Sequence, residues 1–212
     1  MTEIRFYAGI TDFIQQRTAE FGQIEETRKP LLLELANYIR QCKTKEQMVQ
    51  LTFLCTHNSR RSHFSQIWAK VAADYYQIGA LKTFSGGTEA TAMNERVVES
   101  LRRIGMDIQV DGGSTSNPNY LIHYAENQES LICFSKVYDS DPNPSRNFAA
   151  IMTCSSADRA CPVVPGCDAR LPIRYEDPKV SDGTDREHAT YDERSRQICR
   201  EMLFAMSQVT NH

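Results

Sequence analysis

Long apolar runs are missing from this sequence. The longest, such as FAAIM at Phe148 to Met152, fall far short of the roughly 20 residues a membrane-spanning helix needs. The first residues, MTEIRFYAGITDF, lack a basic region followed by an apolar one, so no secretory leader is read there and a cytoplasmic location is expected. There is no surplus of positive charge: 24 basic and 27 acidic residues leave a formal net charge of -3, which gives no broad field for nucleic acid or an anionic membrane. Any anion must be bound locally. Repeats and low-complexity tracts are absent too. The seven cysteines are an odd number without a Cys-x-x-Cys pair, and the five histidines show no zinc spacing. Neither a secreted disulfide framework nor a metal site is expected, and no cofactor is implied.

What is present is a chain of 212 residues, enough for one sizeable domain and an appendage. Residues 1–48 read as a helical extension. One helix is expected from about Thr11 to Phe21 and another from about Thr27 to Gln41, with Leu32, Leu35, Ala36 and Ile39 at helical spacing. The polar stretch from Cys42 to Gln47 reads as a linker. Residues 49–212 then alternate short apolar runs with amphipathic helices. Strands are expected at VQLTFLC (Val49 to Cys55), LKTFS (Leu81 to Ser85), FAAIMTC (ending at Cys154) and RLPIRY (Arg170 to Tyr175). Helices are expected from Ser62 to Gln77 and from Asn94 to Ile104, the latter stopped by Gly105. A last helix opens with a capping box of Thr184 and Glu187. This order predicts an α/β fold, a parallel four-stranded sheet with helices on both faces. Residues 119–139 depart from it and read as an antiparallel hairpin turning at ENQES, inserted before the third parallel strand.

In open α/β sheets ligands bind beyond the carboxyl ends of strands, and Cys55 stands at such an end. The loop that follows, Thr56, His57, Asn58, Ser59, Arg60, Arg61 and Ser62, can turn successive backbone N–H groups toward one point. The next helix adds the positive end of its dipole. Arg61 can hold a tetrahedral oxyanion through two donors, while Ser62 and Asn58 can bond the sulfur or fix the loop. The same field favours the thiolate, the form that attacks. A reactive nucleophile is therefore expected at Cys55; the other reading is a buried structural cysteine.

Two further signals fall near the same sheet edge. Asp177, in the DPK that follows the fourth strand, can donate a proton to a leaving oxygen, although Asp-Pro is also an ordinary turn starter. Cys154 closes the third strand, and Cys161 follows seven positions on. A regular helix would separate their sulfurs by about 10 Å. A direct disulfide needs Cα atoms within about 7 Å, so joining them requires the segment to unwind. The pair reads either as a movable redox couple or as two buried cysteines.

Through FLCTHNSRRS, SGGTEA, CSSADRACP, YEDP with DGT, and the final helix, the sequence from about Gln50 to Val209 resembles the low-molecular-weight tyrosine phosphatase superfamily. Within it, the thioredoxin-coupled arsenate reductases are the nearest match. Only that branch carries the two later cysteines followed by proline, here Cys154, Cys161 and Pro162. The resemblance implies that Cys55 attacks an arsenate held by the loop and Arg61 while Asp177 assists departure of hydroxide. Cys154 then attacks Cys55 and Cys161 attacks Cys154, leaving a Cys154 to Cys161 disulfide for thioredoxin or a similar thiol to reduce. His57 stands where the family has a small residue, and Arg60 where reductases often have another cysteine. Asn58 and Ser85 match positions linked to potassium in some reductases, but Gln66 replaces a glutamate, so that ion is not expected. The runner-up is a phosphatase acting on phosphate monoesters through Cys55, Arg61 and Asp177. Lys179, where tyrosine phosphatases carry an aromatic residue, argues against phosphotyrosine.

Overall fold

Side chains along a strand alternate between its two faces, and in Val49–Cys55 (β1) both faces are buried. Leu51 and Phe53 enter a large core shared with most of the helices, whereas Leu54 and Cys55 join a smaller cluster around Phe148, Ala150, Met152 and Cys154. That is the signature of a central parallel strand. The computed structural model describes residues 3–160 and 163–210, and it places β1 between Leu81–Gly87 (β2) and Phe148–Met152 (β6), with Cys167–Leu171 (β7) beyond. All three pairings are parallel. The expected four-stranded sheet is thus present, with order β2-β1-β6-β7.

Ala8–Ala19 (α1) and Lys29–Thr44 (α2) precede β1, so the second helix runs on through the first half of the expected linker at Cys42 to Gln47. Their apolar residues Ile10, Ile14, Leu32, Leu35 and Ile39 are fully buried in the main core. Arg61–Tyr75 (α3) and Glu187–Thr210 (α6) pack against each other over the same face. Trp68 of α3 donates to Ser195 Oγ of α6 at 2.9 Å and stacks on Phe13 of α1 at 5.1 Å, tying three helices together. On the opposite face the short Ser155–Ala160 (α5) covers the sheet through Ala157.

Glu95–Ile104 (α4) is delimited as expected. Asn94 Oδ1 accepts from Arg96 N at 3.0 Å, and Gly105 stops the helix at φ 108°, a conformation that costs glycine little. The capping box of α6 is modified. Thr184 Oγ1 accepts from Arg186 N at 3.3 Å, but the Glu187 carboxylate reaches back one residue further, to Gly183 N at 2.6 Å.

Two expectations need correction. The 119–139 segment is not a lone hairpin: Asn117–His123 (β4) pairs on one side with Leu131–Cys133 (β5), across the expected ENQES turn. On its other side it pairs with Asp107–Ser114 (β3), an exposed polar strand that apolar patterning does not mark. The fourth parallel strand also ends earlier than read, at Leu171, because Pro172 has no N–H to continue the ladder. Cys161 and Pro162 lie outside the described residues.

Candidate active site

At the carboxyl end of β1 the chain turns through residues 56–60 into α3, and its hydrogen bonds show which way each peptide faces. Every carbonyl from Cys55 to Arg60 is taken. Cys55 O accepts from Thr88 N at 3.3 Å, Thr56 O from Glu89 N at 2.9 Å, Ser59 O from Asn94 N at 2.9 Å and Arg60 O from Phe64 N at 3.1 Å. His57 O accepts from Thr91 Oγ1 and Ser135 Oγ, both at 3.0 Å, and Asn58 O bonds His63 Nε2 at 2.9 Å. Among the described residues nothing accepts from the N–H groups of Thr56, His57, Asn58, Ser59 or Arg60. Because the N–H of a trans peptide points opposite its C=O, carbonyls held from outside leave the amides turned inward. Such an array at the start of a long helix is suited to an anion.

Asn58 makes the turn possible. It is fully buried with φ 44°, in the left-handed region where asparagine is among the better-tolerated residues. Its side chain donates to Ser62 Oγ at 2.9 Å and accepts from Lys136 N at 2.9 Å. Gly87, paired with Cys55 across β1 and β2, is equally constrained. A Cβ there would stand 2.3 Å from Glu89 O, 2.6 Å from Thr56 O and 2.8 Å from Asn58 N.

Cys55 Sγ is buried 3.1 Å from Ser62 Oγ. Arg61, the first residue of α3, donates to Tyr175 O at 3.1 Å and to Asp177 Oδ2 at 2.7 Å. Asp177 Oδ1 in turn caps the short turn Pro178–Ser181 by accepting from Lys179 N at 3.2 Å. Cys154 is almost fully buried. Its sulfur lies 3.6 Å from Thr56 Oγ1 and accepts from Ala157 N at 3.2 Å. The structure thus gathers Cys55, Ser62, Arg61, Asp177 and Cys154 at one sheet edge, while Cys161 lies outside the described residues. His57 extends its side chain into solvent beside Glu89, at 3.8 Å. Arg60 is drawn away toward α6, donating to Tyr191 OH at 2.7 Å and Asp182 Oδ2 at 3.4 Å.

Residues that sequence reasoning missed support the loop from behind. His63 is fully buried between Asn58 O and Ser85 Oγ, at 2.9 and 3.3 Å. Burial first, and then the nearby Lys136 charge, lower its pKa to about 3, so it is a neutral imidazole with one donating and one accepting nitrogen. Lys136 is itself buried, its ammonium 4.4 Å above the Phe134 ring, and burial lowers its pKa to about 8. Tyr191 OH donates to Asp182 Oδ1 at 2.8 Å and receives Arg60, and burial pushes its pKa up to about 12. The contacts of His63 with Ser85, Lys136 with Asn58 and Arg60 with Tyr191 span 22, 78 and 131 positions, and no local motif announces them. Among the described residues no cluster of three or more His, Cys, Asp or Glu could hold a metal, and no described helix is long and apolar enough to cross a membrane.

No protein-family model matches the chain. It is 29% identical over 127 residues to arsenate reductase 2 of Staphylococcus epidermidis, covering 59% of this chain and 76% of the relative. To an arsenate reductase of Bacillus subtilis it is 28% identical over 144 residues, covering 68% and 84%. Among solved structures, a Corynebacterium glutamicum thioredoxin-dependent arsenate reductase superposes with a TM-score of 0.41 at 17% identity, covering 92% of this chain and 84% of the other. The relatives named arsenate reductase bear out the resemblance, and it is to them that this chain is similar.

Proposed function

We propose that this chain is an enzyme that reduces arsenate to arsenite, with Cys55 as nucleophile in the loop Thr56 to Ser62. The inward amides and Arg61 hold the oxyanion. The Cys55 thiolate attacks arsenic(V), and Asp177 gives its proton to the departing hydroxide, leaving a sulfur–arsenic bond. Cys154 then attacks the Cys55 sulfur. A Cys55 to Cys154 disulfide forms, the sulfur–arsenic bond breaks, and its electron pair leaves with arsenic as arsenite. Cys161 attacks Cys154, freeing Cys55 as thiolate and leaving a Cys154 to Cys161 disulfide. Thioredoxin or a similar dithiol supplies two electrons to reset the pair.

The observation that carries this reading is the Cys154 sulfur 3.6 Å from Thr56 Oγ1: a second thiol stands against the loop that holds the first. The relatives named arsenate reductase support it. The second reading, hydrolysis of a phosphate monoester through a Cys55 thiophosphate, is favoured by the Arg61 to Asp177 pair, which needs no further cysteine. Paired variants separate the two. Under the reductase reading, Cys55→Ser abolishes all turnover, and Cys154→Ser abolishes arsenite release from the arsenate adduct. Undiminished arsenite production by Cys154→Ser would exclude the relay.

A further inference from the structure

Beside the loop lies a cleft of about 730 Å³, a size typical of small-molecule sites and far beyond the needs of one tetrahedral oxyanion. Arg61 and Asp177 line it, as do Ser155 and Ser156, the residues next after Cys154. Further lining comes from α6 and from the segment between α1 and α2. Five arginines face four carboxylates: Arg28, Arg61, Arg174, Arg194 and Arg200 against Glu25, Glu176, Asp177 and Glu201. Four of the arginines have a carboxylate partner. Arg28 pairs with Glu201 at 2.5 Å, Arg61 with Asp177 at 2.7 Å, Arg200 with Glu20 at 3.2 Å, and Arg174 with Asp158.

Arg194 has none: among the described residues no carboxylate lies within 4 Å of its guanidinium. Its hydrogen-bond partner is the neutral amide of Gln197, and its Nε is buried without an acceptor. Glu176, Glu193 and Glu201 act on it only from longer range, and burial is the largest influence, holding its pKa below the usual arginine value. A half-buried cation without a directly paired carboxylate is costly, and an anion in the cleft would relieve that cost through charge-assisted hydrogen bonds.

We propose that Arg194 forms a second anion subsite, which takes an additional carboxylate or phosphate of a substrate whose tetrahedral oxyanion sits in the Cys55 to Ser62 loop. The ligand class is a phosphomonoester carrying another acidic group. This rests on the loop being an oxyanion cradle and on the phosphate-monoester reading of that loop rather than on arsenate, and is independent of whether Cys154 resolves Cys55.

Calorimetric titration of the full-length Cys55→Ser protein tests it, with phenyl phosphate compared against 3-carboxyphenyl and 4-carboxyphenyl phosphate. At least one carboxylated ester is expected to bind about tenfold tighter than phenyl phosphate. Adding Arg194→Met is expected to remove that preference while leaving the phenyl phosphate affinity unchanged. Should Arg194→Met fail to fold, Arg194→Lys, which keeps the charge but not the planar fork, is expected to shrink the preference several-fold. Equal affinities for all three esters overturn the subsite and leave the loop reading standing. A preference that survives at Arg194 variants also overturns it. If none of the esters binds and inorganic phosphate does not bind either, the loop reading itself falls and the subsite with it.

Discussion

Arg61 Nη2 donates to Asp177 Oδ2 at 2.7 Å, so the guanidinium that closes the Cys-x5-Arg spacing is joined to the carboxylate of the Asp-Pro pair. An oxyanion entering the loop has to compete with Asp177 for that arginine. In the proposed mechanism an oxyanion that draws Arg61 to itself would release Asp177 to act as the general acid.

Asp177→Ala separates these two roles. Turnover is expected to fall by about 10²- to 10⁴-fold, the usual worth of a general acid, while inorganic phosphate binds several-fold tighter because Arg61 has lost its competitor. Steady-state rates and calorimetry measured on the same preparation check this. Weaker phosphate binding in the variant would show that Asp177 shapes the loop rather than competing for its arginine.

Gly87→Ala tests the loop from the outside. The added Cβ would meet the carbonyls of Glu89 and Thr56 at 2.3 and 2.6 Å, and backbone cannot yield as a flexible side chain can. A stability loss of about 1–3 kcal/mol is expected, together with a fall in turnover larger than that loss explains. Gly79→Ala, which meets nothing within 4 Å, serves as the control and is expected to stay near wild type in urea unfolding and in rate.

The parts of this arrangement that were legible in the sequence are those that local chemistry announces. β6 is an unbroken apolar run and β1 a mostly apolar one because both faces of each are buried. Asn94 and Gly105 mark α4 because caps have residue preferences. Cys55, Arg61 and Asp177 could be named because strand ends and turn starters have their own signatures. β3 was missed because it is exposed along most of its length and is held by backbone pairing with β4, which leaves no apolar alternation to read. β7 was placed late because its residues are only partly buried at the sheet edge, while the more apolar LPIRY beyond it drew the assignment. His63 and Lys136 gave no signal at all: one is a histidine within an amphipathic helix and the other a lysine in a loop, and only tertiary packing buries them behind Asn58.

That burial has a consequence in pH. Free histidine titrates near 6.5, whereas His63 in the fold takes up its proton only near pH 3. Between those values the unfolded chain binds a proton that the native state does not, so stability falls as pH drops through 6.5 toward 3. Lys136 acts with the same sign in a different window. Its folded pKa of about 8 lies below the unfolded value of 10.5, so stability rises as pH increases from about 8 to 10.5. Urea unfolding across pH 4 to 7 is expected to show His63→Gln losing a stability slope that accumulates to roughly 2–4 kcal/mol in the parent. Parallel slopes in the two proteins would mean that His63 is not held neutral by the fold.

A single turnover tests the relay most directly. Fully reduced protein is mixed with arsenate in the absence of any external thiol, arsenite is quantified, and the cysteines are then alkylated and mapped by mass spectrometry. One arsenite per chain, a disulfide between Cys154 and Cys161, and Cys55 recovered as free thiol are expected. No arsenite with every thiol alkylated would contradict the relay.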